Sequence, residues 1–128
     1  MTDPIVFISR NSVKNGMLED FRNHYQNSIP PIMAGKPGTL VQLAYYNDET
    51  AEVTVVRIFP VAEGLDQQLQ GADERSKATY QFIEPTSIEI YGTPSNFAME
   101  MMKKVGGSGI EAHNFAEFLG GYIRPKTG

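Results

Sequence analysis

Four short runs of this chain are rich in β-branched and aromatic residues. They are "IVFISR" (Ile5 to Arg10), "TLVQLAYY" (Thr39 to Tyr46), "VTVVRIF" (Val53 to Phe59) and "SIEIYG" (Ser87 to Gly92), and this composition predicts strands. Between them the apolar period lengthens. Leu18, Phe21, Tyr25 and Ile29 are spaced three, four and four, with Glu19, Asp20, Arg22 and Asn23 on the opposite side, which predicts an amphipathic helix. A second helix begins with Leu65 and Leu69, is interrupted near Gly71 to Asp73, resumes with Asp73 as its cap and ends near Ile83, before Glu84-Pro85. "YNDETAE" (Tyr46 to Glu52) supplies turn residues for a hairpin between the halves.

The two halves echo one another. An offset of 48 residues separates Val13 from Val61, Gly16 from Gly64, Phe21 from Leu69, Pro37 from Pro85 and Leu40 from Ile88. Internal similarity at one fixed offset indicates a repeated structural unit. Each unit is strand, helix, strand, so residues 1–94 predict an α+β domain, the ferredoxin-like βαββαβ sandwich with strand order 4-1-3-2. Residues 95–128 add a C-terminal helix and arm, packed on the same domain or on a dimer partner. Ser95 can cap that helix, whose Phe97, Met101 and Val105 align; "GGSG" (Gly106 to Gly109) leads to "NFAEFLGGYIR", an arm ending in a strand.

An antiparallel sheet with one wet face should alternate apolar and polar residues. The third strand does not. Thr54, Val56 and Ile58 suit the helix-covered face, which leaves Val53, Val55, Arg57 and Phe59 on the open one. Ile5 and Phe7 repeat this on the first strand. An apolar open face suggests an interaction surface, and its simplest occupant is a second copy of the sheet about a two-fold axis.

Composition narrows the classes. In 128 residues there are no cysteines and no tryptophans, and the formal net charge is -4. Disulfides, thiolate metal sites and cysteine nucleophiles are excluded. The acidic balance offers no footprint for nucleic acid. RNA-recognition motifs share this topology, but the third strand lacks their basic-glycine-aromatic signature. The N-terminal apolar run is too short for a signal sequence, and nothing has the length to span a bilayer. The expected location is cytoplasmic.

The strand, "SVKNGMLEDF", the kinked "ADERSKATYQFIEP" helix and the "SIEIYG" strand together resemble the antibiotic biosynthesis monooxygenase family of the dimeric α/β-barrel superfamily. The likeness runs from Ile5 to Gly92. It implies a homodimer whose sheets enclose a barrel, with a cavity for a small aromatic molecule between sheet and helices. It also implies cofactor-independent oxygenation, with a non-catalytic ligand-binding or structural barrel as the alternative. Oxygenases of the family use a tryptophan, which this chain lacks. The haem-degrading branch places an asparagine on the first strand, where this chain offers Ile5 and Phe7. No cofactor is expected.

Four residues are candidates for a ligand site; no catalytic residue is assigned. Arg57 interrupts an apolar strand, and a desolvated guanidinium requires an acceptor. Glu89 is expected on the same face, so the two read as an anion or carbonyl clamp, or as an ion pair bridging the dimer. Tyr91 shares the face of Glu89 and offers a hydroxyl. His24, three residues after Phe21, suits a general base. Tyr45 and Tyr46 are adjacent, so only one can face the cavity, and the pattern does not decide which. Met99, Met101 and Met102 fit a flexible mouth or packing. His113 sits in the arm, and two isolated histidines without carboxylates at ligand spacing make no metal site. "AGKPGT" (Ala34 to Thr39) lacks Walker spacing and reads as a turn.

Overall fold

The elements run β1 (Ile5–Val13), α1 (Leu18–Gly35), β2 (Val41–Asn47), β3 (Glu52–Phe59), α2 (Ala62–Leu69), α3 (Ala72–Thr79), β4 (Ile83–Tyr91), α4 (Asn96–Gly106) and β5 (Glu111–Phe115). This is a computed structural model and describes residues 3–106 and 109–124, with the backbone alone at residues 73, 105 and 106. The sheet order is β2-β3-β1-β4-β5. Its first four strands have the expected ferredoxin-like order, all antiparallel, and β5 is added parallel to β4.

The helices share one face of the sheet. Phe21 of α1 packs with Val53, Val55 and Ile83, while Leu65 of α2 and Ala98 and Met102 of α4 pack with Ile5, Phe59 and Ile90. Burying these side chains supplies most of the driving force, about 1.5–3 kcal/mol for each large one. The C-terminal helix thus belongs to the layer over the same core. Ser95 caps it by accepting the Ala98 N–H at 3.1 Å.

These contacts invert the expected faces. Cross-strand partners share a face, and Phe7 stands opposite both Arg57 and Ile90. Val53, Val55, Arg57 and Phe59 therefore point into the helices, and Thr54, Val56 and Ile58 point to the open side. Both parities of β3 are apolar, so alternation alone could not choose between them. The open side is nonetheless apolar: Leu43 and Tyr45 of β2 and Phe115 of β5 are 48%, 67% and 53% exposed.

Three boundaries also differ. The second helical region breaks at Gly71, which takes a left-handed φ of 75° at the cap of α3, where a glycine pays no steric penalty. The expected cap, Asp73, falls inside the helix, and its side chain lies outside the described residues, as does that of Val105. α3 stops at Thr79 rather than Ile83, because β4 already begins at Ile83. Pro85 sits within β4 beside a register shift between Arg10 and Asn11, a position where a missing N–H is tolerated. In the C-terminal arm the strand comes first and an irregular segment follows it, the reverse of the expected order.

The repeated glycines do different work. Gly16 precedes α1 with φ 76°. Gly64 lies inside α2, where a Cβ would stand 2.5 Å from the carbonyl oxygen of Gly38. Lys36 donates to the carbonyls of Gln67 at 2.7 Å and Gln70 at 3.0 Å, satisfying the free C-terminal end of α2. Two prolines, Pro30 and Pro31, lie within α1.

Candidate functional site

A cavity of about 480 Å³ separates the sheet from the helices. Its volume is in the range of small-molecule sites. The sheet forms the floor through Phe7, Val55, Phe59 and Ile88, and all four helices contribute to the roof. Polar groups enter from β1 (Ser9, Asn11), from α1 (His24, Tyr25), from β2 (Gln42) and from α3 (Arg75, Thr79). Ser9 and Asn11 sit on the floor because the alternation of β1 turns polar on its covered face after Phe7.

Arg57 is the central charge. Its Nε–H donates to Gln42 Oε1 at 3.0 Å, and Gln42 Nε2 donates in turn to the Tyr25 hydroxyl at 3.3 Å. Gln42 is thereby oriented by both neighbours. Among the described residues no carboxylate forms an ion pair with Arg57. Desolvation lowers its pKa from the usual guanidinium value; Tyr25 and Tyr80 oppose that shift, and Arg75 adds to it. Arg75 has its own task, donating to the carbonyls of Gln68 and Gln70 and so joining α3 to the end of α2.

His24 Nε2 lies 3.0 Å from Thr79 Oγ1. That hydroxyl spends its single proton on the Arg75 carbonyl at 2.9 Å, so it can only accept from the histidine. Neutral His24 therefore carries its proton on Nε2, and Nδ1 is the basic nitrogen. The ring also meets Phe82, centroid to centroid at 5.3 Å.

The expected pairing of Arg57 with Glu89 does not occur. Glu89 stands opposite Ile8, on the open face, and its partner is Arg10, with Nη2 2.8 Å from Oε1. Tyr91 also leaves the cavity; its hydroxyl donates to Glu89 Oε2 at 2.9 Å and its ring stacks on Phe115. Of the four candidates, the structure brings His24 and Arg57 together and places Glu89 and Tyr91 beneath the sheet. The reason is the inversion of β3, since β4 kept Ile88 and Ile90 inward as expected.

The tyrosine pair also resolves. Tyr46 stands opposite Val53 and shares the helix-covered side, whereas Tyr45 stands opposite Thr54 on the open side. Both line a shallower groove between α1 and the edge strand β2, not the main cavity. Met101 and Met102 line the cavity, and Met102 is buried in its core. His113 lies on the β5 edge, 3.9 Å from Glu111. Among the described residues there is no group of three or more His, Asp or Glu side chains arranged to hold a metal.

Asn11, Tyr25 and Gln42 escaped the sequence reading as site residues. β1 extends to Val13 and so includes Asn11, beyond the Ile5-to-Arg10 run expected for the first strand; its Nδ2 donates to the Val53 carbonyl at 3.4 Å. Gln42 carried a signal: it is the one amide in an apolar run, at the same parity as Ala44 and Tyr46.

Sheet order, helical layer and cavity together define a ferredoxin-like α+β protein with a ligand-sized pocket under its helices, the fold of antibiotic biosynthesis monooxygenase-like proteins. The chain is similar over 98% of its length to 92% of MupZ from Pseudomonas fluorescens, with a TM-score of 0.72 and 16% identity. It is similar to SnoaB, a cofactor-independent oxygenase from Streptomyces nogalater, over 74% of this chain and 97% of that one, with a TM-score of 0.59 and 13% identity. A Caulobacter crescentus protein assigned to the antibiotic biosynthesis monooxygenases aligns over 70% of this chain and 88% of its own, with a TM-score of 0.61 and 16% identity. No family model matches the sequence, and no curated protein matches it. Among the described residues no helix is long and apolar enough to cross a membrane.

Proposed function

We propose that the protein is one subunit of a homodimeric barrel that binds a small, largely apolar aromatic molecule and oxygenates it without a cofactor. The observation that carries this reading is the 480 Å³ cavity in which His24 and Arg57 stand among apolar and aromatic side chains and a few other polar groups. SnoaB, of similar fold, is a cofactor-independent oxygenase. The open face, with Val56, Ile58 and Leu43 on it, supports the dimer.

The groups suit proton abstraction from an activated methylene or hydroquinone. His24 Nδ1 accepts the proton, and Arg57 stabilises the resulting enolate or phenolate in a medium of low dielectric. The anion then reacts with dioxygen. For a methylene substrate, one oxygen atom becomes the new carbonyl and the other leaves as water with the two methylene hydrogens.

An oxygen electrode tests this with a panel of quinols and anthrones. The expected result is one dioxygen consumed per carbonyl formed, with no metal or flavin added. His24→Gln should slow turnover about a hundredfold or more. Consumption at the enzyme-free rate across the panel rejects the oxygenase. The second reading, a non-catalytic binding barrel, is favoured by the absence of tryptophan from the sequence; it requires ligand binding without oxygen uptake.

A further inference from the structure

Building on the cavity-binding reading, we propose that the ligand is an acid, and that a carboxylate on its aromatic body is held by the outer fork of Arg57. The Nε–H of Arg57 is spent on Gln42. No carboxylate among the described residues takes the two terminal nitrogens, although the residue lines the cavity beneath the helices. A half-buried guanidinium with no carboxylate partner among the described residues leaves its charge poorly compensated, an arrangement that a guest anion relieves. The fork matches a carboxylate in two parallel hydrogen bonds.

The surroundings fit the same guest. Arg75 is near enough to depress the Arg57 pKa, so the local field is doubly positive. Tyr25 accepts from Gln42 at 3.3 Å, which leaves its own hydroxyl proton to donate. Phe7, Phe59, Leu65 and Ile88 form the apolar remainder. The cavity therefore offers hydrogen-bond donors beside a hydrocarbon surface. Gln42 acts as a positioning residue: as a neutral acceptor it fixes the guanidinium without cancelling its charge.

Isothermal titration of the protein with 2-naphthoate and with methyl 2-naphthoate tests this. The two differ only in the charge and the methyl group at the head. The acid should bind about tenfold to a hundredfold more tightly, the range of a charge-assisted pair. Arg57→Gln should abolish that preference. Gln42→Glu, nearly isosteric and pairing with Arg57 internally, should abolish it too while leaving the ester bound and the thermal midpoint no lower. Equal affinity for acid and ester in the wild type overturns the acid inference and leaves the cavity reading standing. A preference that persists in both variants overturns the assignment to Arg57. Failure of both compounds to bind at millimolar concentration overturns the cavity reading and the inference with it.

Discussion

Arg10 and Glu89 join neighbouring strands on the bare side of the sheet, with Nη2 2.8 Å and Nε 3.0 Å from the same carboxylate oxygen. Desolvation pushes the Glu89 carboxyl up. The hydrogen bonds from Tyr91 and Arg10, with the charges of Arg10 and His113, outweigh it and leave the pKa below the usual glutamate value. A carboxylate depressed in the folded state stabilises the protein above its unfolded pKa, and that contribution is lost as pH falls through the lowered value. Because Arg10 is 43% exposed, the coupling should be small, roughly 0.5–1 kcal/mol. A double-mutant cycle of Arg10→Met and Glu89→Gln by urea unfolding should show it near neutral pH and lose it in acid. A cycle unchanged by pH would deny the charge its role.

Adjacent residues of β3 should respond oppositely to one carboxylate. Val55 is buried under α1, so Val55→Asp should cost more than about 3 kcal/mol and unfold much of the subunit. Val56 faces the open side, so Val56→Asp should leave the fold intact and shift the proposed dimer to monomer. Circular dichroism and light scattering read the two effects separately. A folded Val55→Asp dimer would contradict the placement of β3.

Gly64→Ala should destabilise despite the better helix propensity of alanine. The added methyl meets backbone, the Gly38 carbonyl at 2.5 Å, which no side-chain rotation can relieve. The loss should be about 1–3 kcal/mol, seen as a lower thermal midpoint. Any gain in stability would show that α2 is free to lift from the β2 turn.

The His24 tautomer is directly observable. Long-range proton–nitrogen NMR should place the neutral imidazole proton on Nε2, and Thr79→Val should weaken that preference by removing the acceptor. A spectrum with the proton on Nδ1 in the wild type would contradict the hydrogen-bond chain through Thr79 and Arg75.

Much of the fold was legible because the repeat carried it. One offset linked Val13 to Val61 and Pro37 to Pro85, and together with the hairpin residues after Tyr46 it anticipated the sheet order. The echo concealed a difference, however: Gly16 serves a left-handed turn and Gly64 a close helix contact, and a glycine looks the same in sequence for either reason. The site was less legible, and β3 shows why. Val53, Val55 and Phe59 alternate with Thr54, Val56 and Ile58, so both faces are apolar, and a cavity places polar side chains on the face that solvent would otherwise claim. Arg57 was therefore recognised as exceptional but assigned to the wrong side, and Glu89 was paired with it across a sheet that separates them. Asn11 and Gln42 became site residues only through the length of β1 and the register of β2, which composition does not encode.

Pro30 and Pro31 lie inside α1. Neither can donate, so the carbonyls of Gln26 and Asn27 lose their partners four residues on. Ser28 and Ile32, on either side of that break, both face the cavity. The roof lacks two backbone hydrogen bonds where it passes over the cavity, while the floor is a ladder of paired strands with a register shift between Arg10 and Asn11. Bending there would change the height of the chamber and leave the strand pairings untouched. A chamber roofed this way should admit occupants of different thickness more readily than one roofed by an uninterrupted helix.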